Sequence, residues 1–304
     1  MSDFDDNLSI GAQHPLRIAD YLDEIGDHQG AQALRLLPPT GQSLGLPGAA
    51  WLRTGVKIGY VANGTTERRV AVTAASSIEP DKSLIGRQIK LSLDELYIES
   101  HPGLFGEHKI ICEFAGKNQS QAESEEVRFA LTAFARDQSG AAIRGAPIFV
   151  GLTVGADGLA FKGKTVNVQN PDDDWLVGAL GSDTFKNGLA LITTVQPVLK
   201  PFAKLAADAV TASANRHKNR QVMTFTLGLD FSQTVTSAKL RLGSYVVVQG
   251  DDAEWAWNDV TLDTESNRLV LTASGKPLAR NYMVIGVSEA AAASAVKPPR
   301  RTGA

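Results

Sequence analysis

The sequence predicts a mainly β protein: an antiparallel β-sandwich or open barrel with an N-terminal helical hairpin and one amphipathic helix over residues 197–216. Three observations lead to this class. Ile89, Leu91 and Leu93, and then Met223, Phe225, Leu227, Leu229 and Phe231, put an apolar side chain at every second position, the period of a strand with one buried face. Gly, Asn, Asp and Pro separate such runs at short intervals, as turns between antiparallel strands require. No regular strand–helix–strand alternation is present, which removes the parallel α/β folds.

The hairpin is read in "HPLRIADYLDEIGDHQGAQALRLLPP". Pro15 suits a first helical turn, and Leu16, Ala19, Leu22 and Ile25 recur at helical spacing. Gly26 is placed to end this helix and Asp27 to cap the next, whose face is Ala31, Leu34 and Leu37 before Pro38 and Pro39 stop it. Residues 1–38 thus form a hairpin, and the Gly/Pro-rich stretch 39–50 reads as a linker that leaves it independent of the β region.

From residue 51 to 288 the period changes to two. "VKIGYVA", "RQIKLSLDELYIES", "HKIICEF", "VRFALTAFA", "APIFVGLTV", "TVNVQ", "LALITTV", "SYVVVQ", "RLVLT" and "NYMVIGV" all read as strands. Between them, Val198, Phe202, Leu205 and Ala209 mark the apolar face of the amphipathic helix. Lys200, Lys204, Arg216, Lys218 and Arg220 border that face, and its alanine-rich, modest bulk suits packing on a sheet better than a membrane. Residues 289–304, alanine-rich and then "VKPPRRTGA", read as a disordered tail.

At 304 residues, 43% hydrophobic and 21% charged, the chain has the make-up of a soluble globular protein of one large or two modest domains. A net charge of −3 gives no reason to expect nucleic acid as partner. Cys112 is the single cysteine, so no intrachain disulfide forms, and the acidic N-terminus lacks the features of a signal peptide. A cytoplasmic location is the expectation.

"GLAFKGKT", Gly158 to Thr165, has the spacing of a phosphate-binding loop. Such a loop works because it opens a helix whose N-terminus meets the phosphates. Here polar and β-branched residues alternate up to Pro171, and Leu159, Ala160, Phe161 and Lys162 are bulky where a cradle wants small residues. The stretch reads instead as a hairpin turned at Asp157–Gly158, with Lys162 and Lys164 on the solvent face.

Other constellations could carry chemistry. Glu99, His101, Glu107, His108, Cys112 and Glu113 lie close in sequence, and His108 and Cys112 share a strand face, as a metal pair or a Cys–His nucleophile pair requires. Without a second cysteine, a buried structural Cys112 is the simpler reading. Asp172, Asp173 and Asp174 before Trp175, and Asp251 and Asp252 before Trp255 and Trp257, make two acidic loops. Clustered loop carboxylates suit calcium. This pattern is similar to the calcium-dependent lipid-binding sandwich domains, although their aspartate spacing is not reproduced.

Ala19-Asp20-Tyr21-Leu22-Asp23-Glu24, Gly26-Asp27 and Leu34-Arg35-Leu36 also resemble the short repeat-companion module of bacterial multidomain proteins, with Tyr21 where that family has tryptophan. The resemblance covers residues 15–37 only. It implies a bacterial source, an appended protein-interaction piece and a place in a multi-protein, defence-type complex.

The expectation is therefore a non-catalytic binding or assembly protein whose partner is another protein or a second copy of itself, with no cofactor. Its interaction residues are Tyr21, Asp23 and Glu24 on the hairpin and Trp175, Trp255 and Trp257 on the loops, since exposed aromatics favour interfaces. The alternative is calcium-regulated membrane binding through Asp172, Asp173, Asp174, Asp251 and Asp252; a nucleotide hydrolase is a distant third.

Overall fold

A computed structural model describes residues 4–36, 48–103, 106–119, 124–169, 219–251 and 253–290. Two helices come first, α1 (Pro15–Glu24) and α2 (His28–Leu36), followed by β1 (Val56–Ala62), β2 (Arg69–Ala71), β3 (Thr73–Ala74), β4 (Gln88–Ile98) and β5 (Glu107–Gln119). β6 (Ser124–Arg136), β7 (Ser139–Gly140), β8 (Ala146–Thr153), β9 (Leu159–Asn167) and β10 (Arg220–Asp230) continue the chain. β11 (Ala238–Lys239), β12 (Gly243–Gln249), β13 (Val260–Asp263), β14 (Arg268–Leu271) and β15 (Tyr282–Glu289) complete it. The protein is mainly β, as its alternating pattern requires. The predicted run "LALITTV", the helix at 197–216, most of the linker and residues 291–304 lie outside the described residues.

Among the described residues the strands form three open sheets. The first runs β3-β1-β12-β15-β4-β7, with β8 also on β4; the second runs β11-β10-β9-β5-β6; the third is β14-β13-β2. Pairing is antiparallel throughout except for β10 with the short β11. The first two sheets face each other. Leu91, Leu93, Tyr245, Val247 and Ile285 from one meet Cys112, Phe114, Phe129, Phe161, Phe225 and Leu227 from the other in the main core.

The first sheet is apolar on both sides, so it needs a second cover. Val61, Tyr97, Val246, Val248, Tyr282 and Val284 on its outer face pack against Val70, Val260, Leu262 and Leu269 of the third sheet. Burying a single such side chain stabilises the fold by roughly 1.5–3 kcal/mol, so this contact helps to hold the short strands of the third sheet in place.

The hairpin forms where the sequence places it. The His14 side chain accepts from the Leu16 N–H at 3.3 Å with Pro15 in the first turn, Gly26 ends the helix at φ +91°, and Asp27 caps α2 by accepting from the Gly30 N–H at 2.9 Å. One detail differs from the expected face. Leu16 is 54% exposed, because Ile18, Ala19, Tyr21 and Leu22 make the buried stripe and Leu16 points away from it.

The hairpin shares its core with the β region. Ile10, Ile18, Leu22, Ala31 and Leu34 pack with Trp51, Leu52 and Val222. Val222 reaches them because β10 carries a bulge between Gln221 and Met223, which frees one residue from the regular alternation. The Asn167 side-chain amide, fully buried at the end of β9, donates to the Tyr21 hydroxyl at 3.0 Å and to the Pro102 carbonyl at 2.9 Å.

Candidate functional site

The phosphate-loop spacing is resolved by β9, a strand in the middle of the second sheet. Gly158 sits in the turn at φ +101°, where an added Cβ would lie 2.0 Å from the Leu229 carbonyl oxygen. A Cβ on Gly163 would lie 2.4 Å from the Phe225 ring. Thr165 accepts from the Met223 N–H at 3.2 Å across the β10 bulge. Each motif residue thus has a packing or pairing role, and no helix opens here to receive a phosphate.

Lys164 corrects the expectation of a solvent-facing side chain. It is 2% exposed, its Nζ lies 2.9 Å from a Glu113 carboxylate oxygen, and it stands 4.9 Å over the Phe4 ring. Arg128 adds a second contact to Glu113 at 3.4 Å. The alternation along β9 was legible, but the N-terminal segment that covers its outer face was not.

The histidine and cysteine cluster does not assemble a reactive centre. Cys112 is fully buried in the main core, and burial pushes its thiol up to about 12. The His108 ring lies 3.0 Å from the Asp137 carboxylate. His101 stacks near it at 5.1 Å, and burial, reinforced by the neighbouring His108, lowers its pKa to about 3, so it is neutral. Among the described residues, no group of three or more His, Cys, Asp or Glu side chains is arranged to hold a metal.

Of the tryptophan and acid loops, Trp175, Asp172, Asp173, Asp174 and Asp252 lie outside the described residues. Trp255 is buried rather than exposed, edge-on to a half-buried Trp257 at 4.8 Å. Lys57 holds this pair, its Nζ donating to the Trp255 carbonyl at 2.8 Å and sitting 4.4 Å over the ring. Trp257 also presses on Gly59, where a Cβ would come within 2.6 Å of the indole. These aromatics are spent largely on the outer core of the first sheet. Asp251 is exposed beside Gly55, and Glu254 accepts from Arg53 and Arg280.

The hairpin residues meet a different setting. Tyr21 is 3% exposed, and burial raises the pKa of its phenol, with the Arg220 guanidinium 5.2 Å over the ring. Asp23 is engaged within the hairpin: hydrogen bonds from His28 and then Arg35 lower its pKa. Arg35 also reaches Asp20 at 2.8 Å, so the two helices are clipped together on their solvent side.

Glu24 stands on the rim of a groove of about 500 Å³ beside α1. Leu8, Ile10 and Ile18 give it an apolar lining, and Arg17, Arg220, Asp20 and Glu24 line it as well. The short 3-10 turns at Asp6–Leu8 and Ile10–Ala12 form one wall. The Asp5 side chain caps the first by accepting from the Asn7 N–H at 3.0 Å. Leu8 is 48% exposed. Sequence reading missed Leu8 and Arg17 and took Arg220 as a border of the amphipathic helix, whereas Arg220 opens β10; the Asp-Asp-Asn turn signal at 5–7 was the available clue to the wall.

No helix among the described residues is long and apolar enough to cross a membrane. Comparison with family models, with curated proteins and with solved structures returns no match.

Proposed function

We propose that the protein is a non-catalytic binding and assembly component that holds a segment of another protein in the groove beside α1. The observation that carries this reading is the groove itself. It combines an apolar lining from Leu8, Ile10 and Ile18 with side chains of both charge signs, Arg17 and Arg220 together with Asp20 and Glu24. Such charges select the register and orientation of an incoming peptide, while the lining supplies the area to be dehydrated. The occupant this chemistry favours is an amphipathic peptide segment with an apolar anchor flanked by one basic and one acidic residue. Cys112, one of the sequence's nucleophile candidates, is enclosed in the main core, where burial raises its pKa. The resemblance of residues 15–37 to the repeat-companion module supports the same role and extends it to a bacterial, cytoplasmic, defence-type complex.

The test is photo-crosslinking in the native host from position 8, compared with position 235, an exposed loop site (Val235 is 83% exposed). One defined partner should crosslink from position 8 and not from 235, and Arg17→Glu should remove it. Equal labelling from both positions, or none, would refute the groove as the binding face. Calcium-dependent sedimentation with anionic vesicles, lost in Asp251→Asn, would move the function to the acidic loops instead.

A further inference from the structure

A second cleft, of about 250 Å³, opens where the outer face of the first sheet meets the third sheet. Its floor comes from an irregularity in β4. Leu93 pairs with Ile285 and Glu95 with Val284, so Asp94 is an extra residue, a β-bulge. Leu93 and Leu96 both enter the main core, and the two residues between them, Asp94 and Glu95, both line the cleft. A regular strand would have sent successive side chains to opposite faces. The bulge therefore sets two carboxylates side by side.

Glu95 is 4% exposed, and its Oε2 is buried without a hydrogen-bond partner. Its contact with Arg144 is a loose 4.0 Å, and the Arg144 side chain is 62% exposed. Asp94 accepts from the Ser92 hydroxyl at 2.7 Å. Across the cleft Asn267 holds a left-handed φ of 54°. With its amide nitrogen turned to donate to the Thr264 carbonyl at 3.3 Å, its oxygen faces the Arg144 guanidinium. A buried carboxyl oxygen with an unmet lone pair is costly, and a donor entering the cleft would satisfy it.

We propose that this cleft binds a small zwitterion of amino-acid type, its ammonium group against Glu95 and Asp94 and its carboxylate against Arg144. The order of charges carries the assignment: acid in the enclosed part and base at the mouth, with Asn267 beside the base. The volume equals that of roughly eight liquid waters at ~30 Å³ each, room for a ligand of amino-acid size. A bare metal ion fits less well, because no third protein carboxylate or imidazole joins the pair among the described residues.

The test uses the full chain and two readouts, melting midpoint and titration calorimetry. The probes are the twenty common amino acids, with methylamine and acetate as half-ligands and calcium chloride as a competing explanation. At least one amino acid at about a hundred times its Kd should raise the midpoint by several degrees, with neither half-ligand matching it. Glu95→Gln and Arg144→Gln should each weaken binding at least about tenfold while keeping the circular dichroism spectrum and a cooperative melt. Arg144, mostly exposed, keeps the test valid if the Glu95 variant folds poorly. The proposal fails if no amino acid shifts the wild-type midpoint, if the shift survives Arg144→Gln, or if methylamine or calcium reproduces it.

Discussion

Lys164 shows how far a single residue can be misjudged from its neighbours. Its alternation with Lys162 marks a strand face correctly but says nothing of what lies over that face, and Phe4, from the other end of the sequence, lies over it. Removing one partner of a buried ion pair leaves the other charged and enclosed, a loss of about 3–5 kcal/mol. Arg128 still reaches Glu113 at 3.4 Å, which holds the expected cost of Lys164→Ala in urea unfolding to the lower end, about 3 kcal/mol, whereas Lys276→Ala on the exposed third-sheet loop should stay within about 0.5 kcal/mol.

Glu95 makes a second prediction at this scale. Burial raises its pKa from 4.5 to about 7, opposed by the positive charges of Arg144 and then Arg268. The folded state thus keeps a proton that the unfolded chain gives up near 4.5. The associated stability is fully present below that pH and is lost as pH rises through about 7. Melting midpoints measured from pH 5 to pH 8 should fall in the wild type. In Glu95→Gln that fall should be smaller, with a higher midpoint at pH 8.

Among the elements, the strands were the most legible. Met223, Phe225, Leu227 and Leu229 alternate into the main core as their spacing demands, because hydrophobic period is a local property of the chain. The "GLAFKGKT" spacing could be discounted for the same reason: a strand period runs through it. Its glycines answer to packing. At Gly158 a side chain would combine a left-handed φ of +101° with a clash against the Leu229 carbonyl. Gly158→Ala should destabilise by about 1–3 kcal/mol in chemical denaturation, and adding ATP or GTP should leave both midpoints unchanged. Less legible were the bulges in β4 and β10, since one extra residue leaves almost no trace in a pattern of period two.

At the level of the whole molecule, the class was readable but the assembly was not. Nothing local says that β1 pairs with β12, or that β2, β13 and β14 form a third layer over the first sheet. The groove suffers from the same difficulty. Tyr21 and Glu24 announce themselves within the hairpin, whereas Leu8 and Arg220 join them only through the fold. The linker composition suggested an independent hairpin, yet Trp51, Leu52 and Val222 complete its core and Asn167 bonds Tyr21. Removing residues 1–36 would expose those three apolar side chains and take partners from Asn167 and Gln221. The truncated protein should show a lower midpoint and self-associate in sedimentation velocity; an unchanged cooperative melt would show that the hairpin contributes little to the stability of the β region.

The bulge in β4 has a consequence for chain length. Delete Asp94 and the remaining strand reads Ile89, Leu91, Leu93, Leu96, Ile98 on one side and Lys90, Ser92, Glu95, Tyr97 on the other, an unbroken alternation matched to β15. Pairing with β15 has no need of this residue; a strand one position shorter would match β15 equally well. The extra residue separates the needs of the strand from the make-up of the cleft, where it sets a second acid beside a buried first. The single-codon deletion is accordingly the sharpest separation of the two. It should melt cooperatively within a few degrees of the parent, measured by calorimetry, while losing whatever the cleft retains.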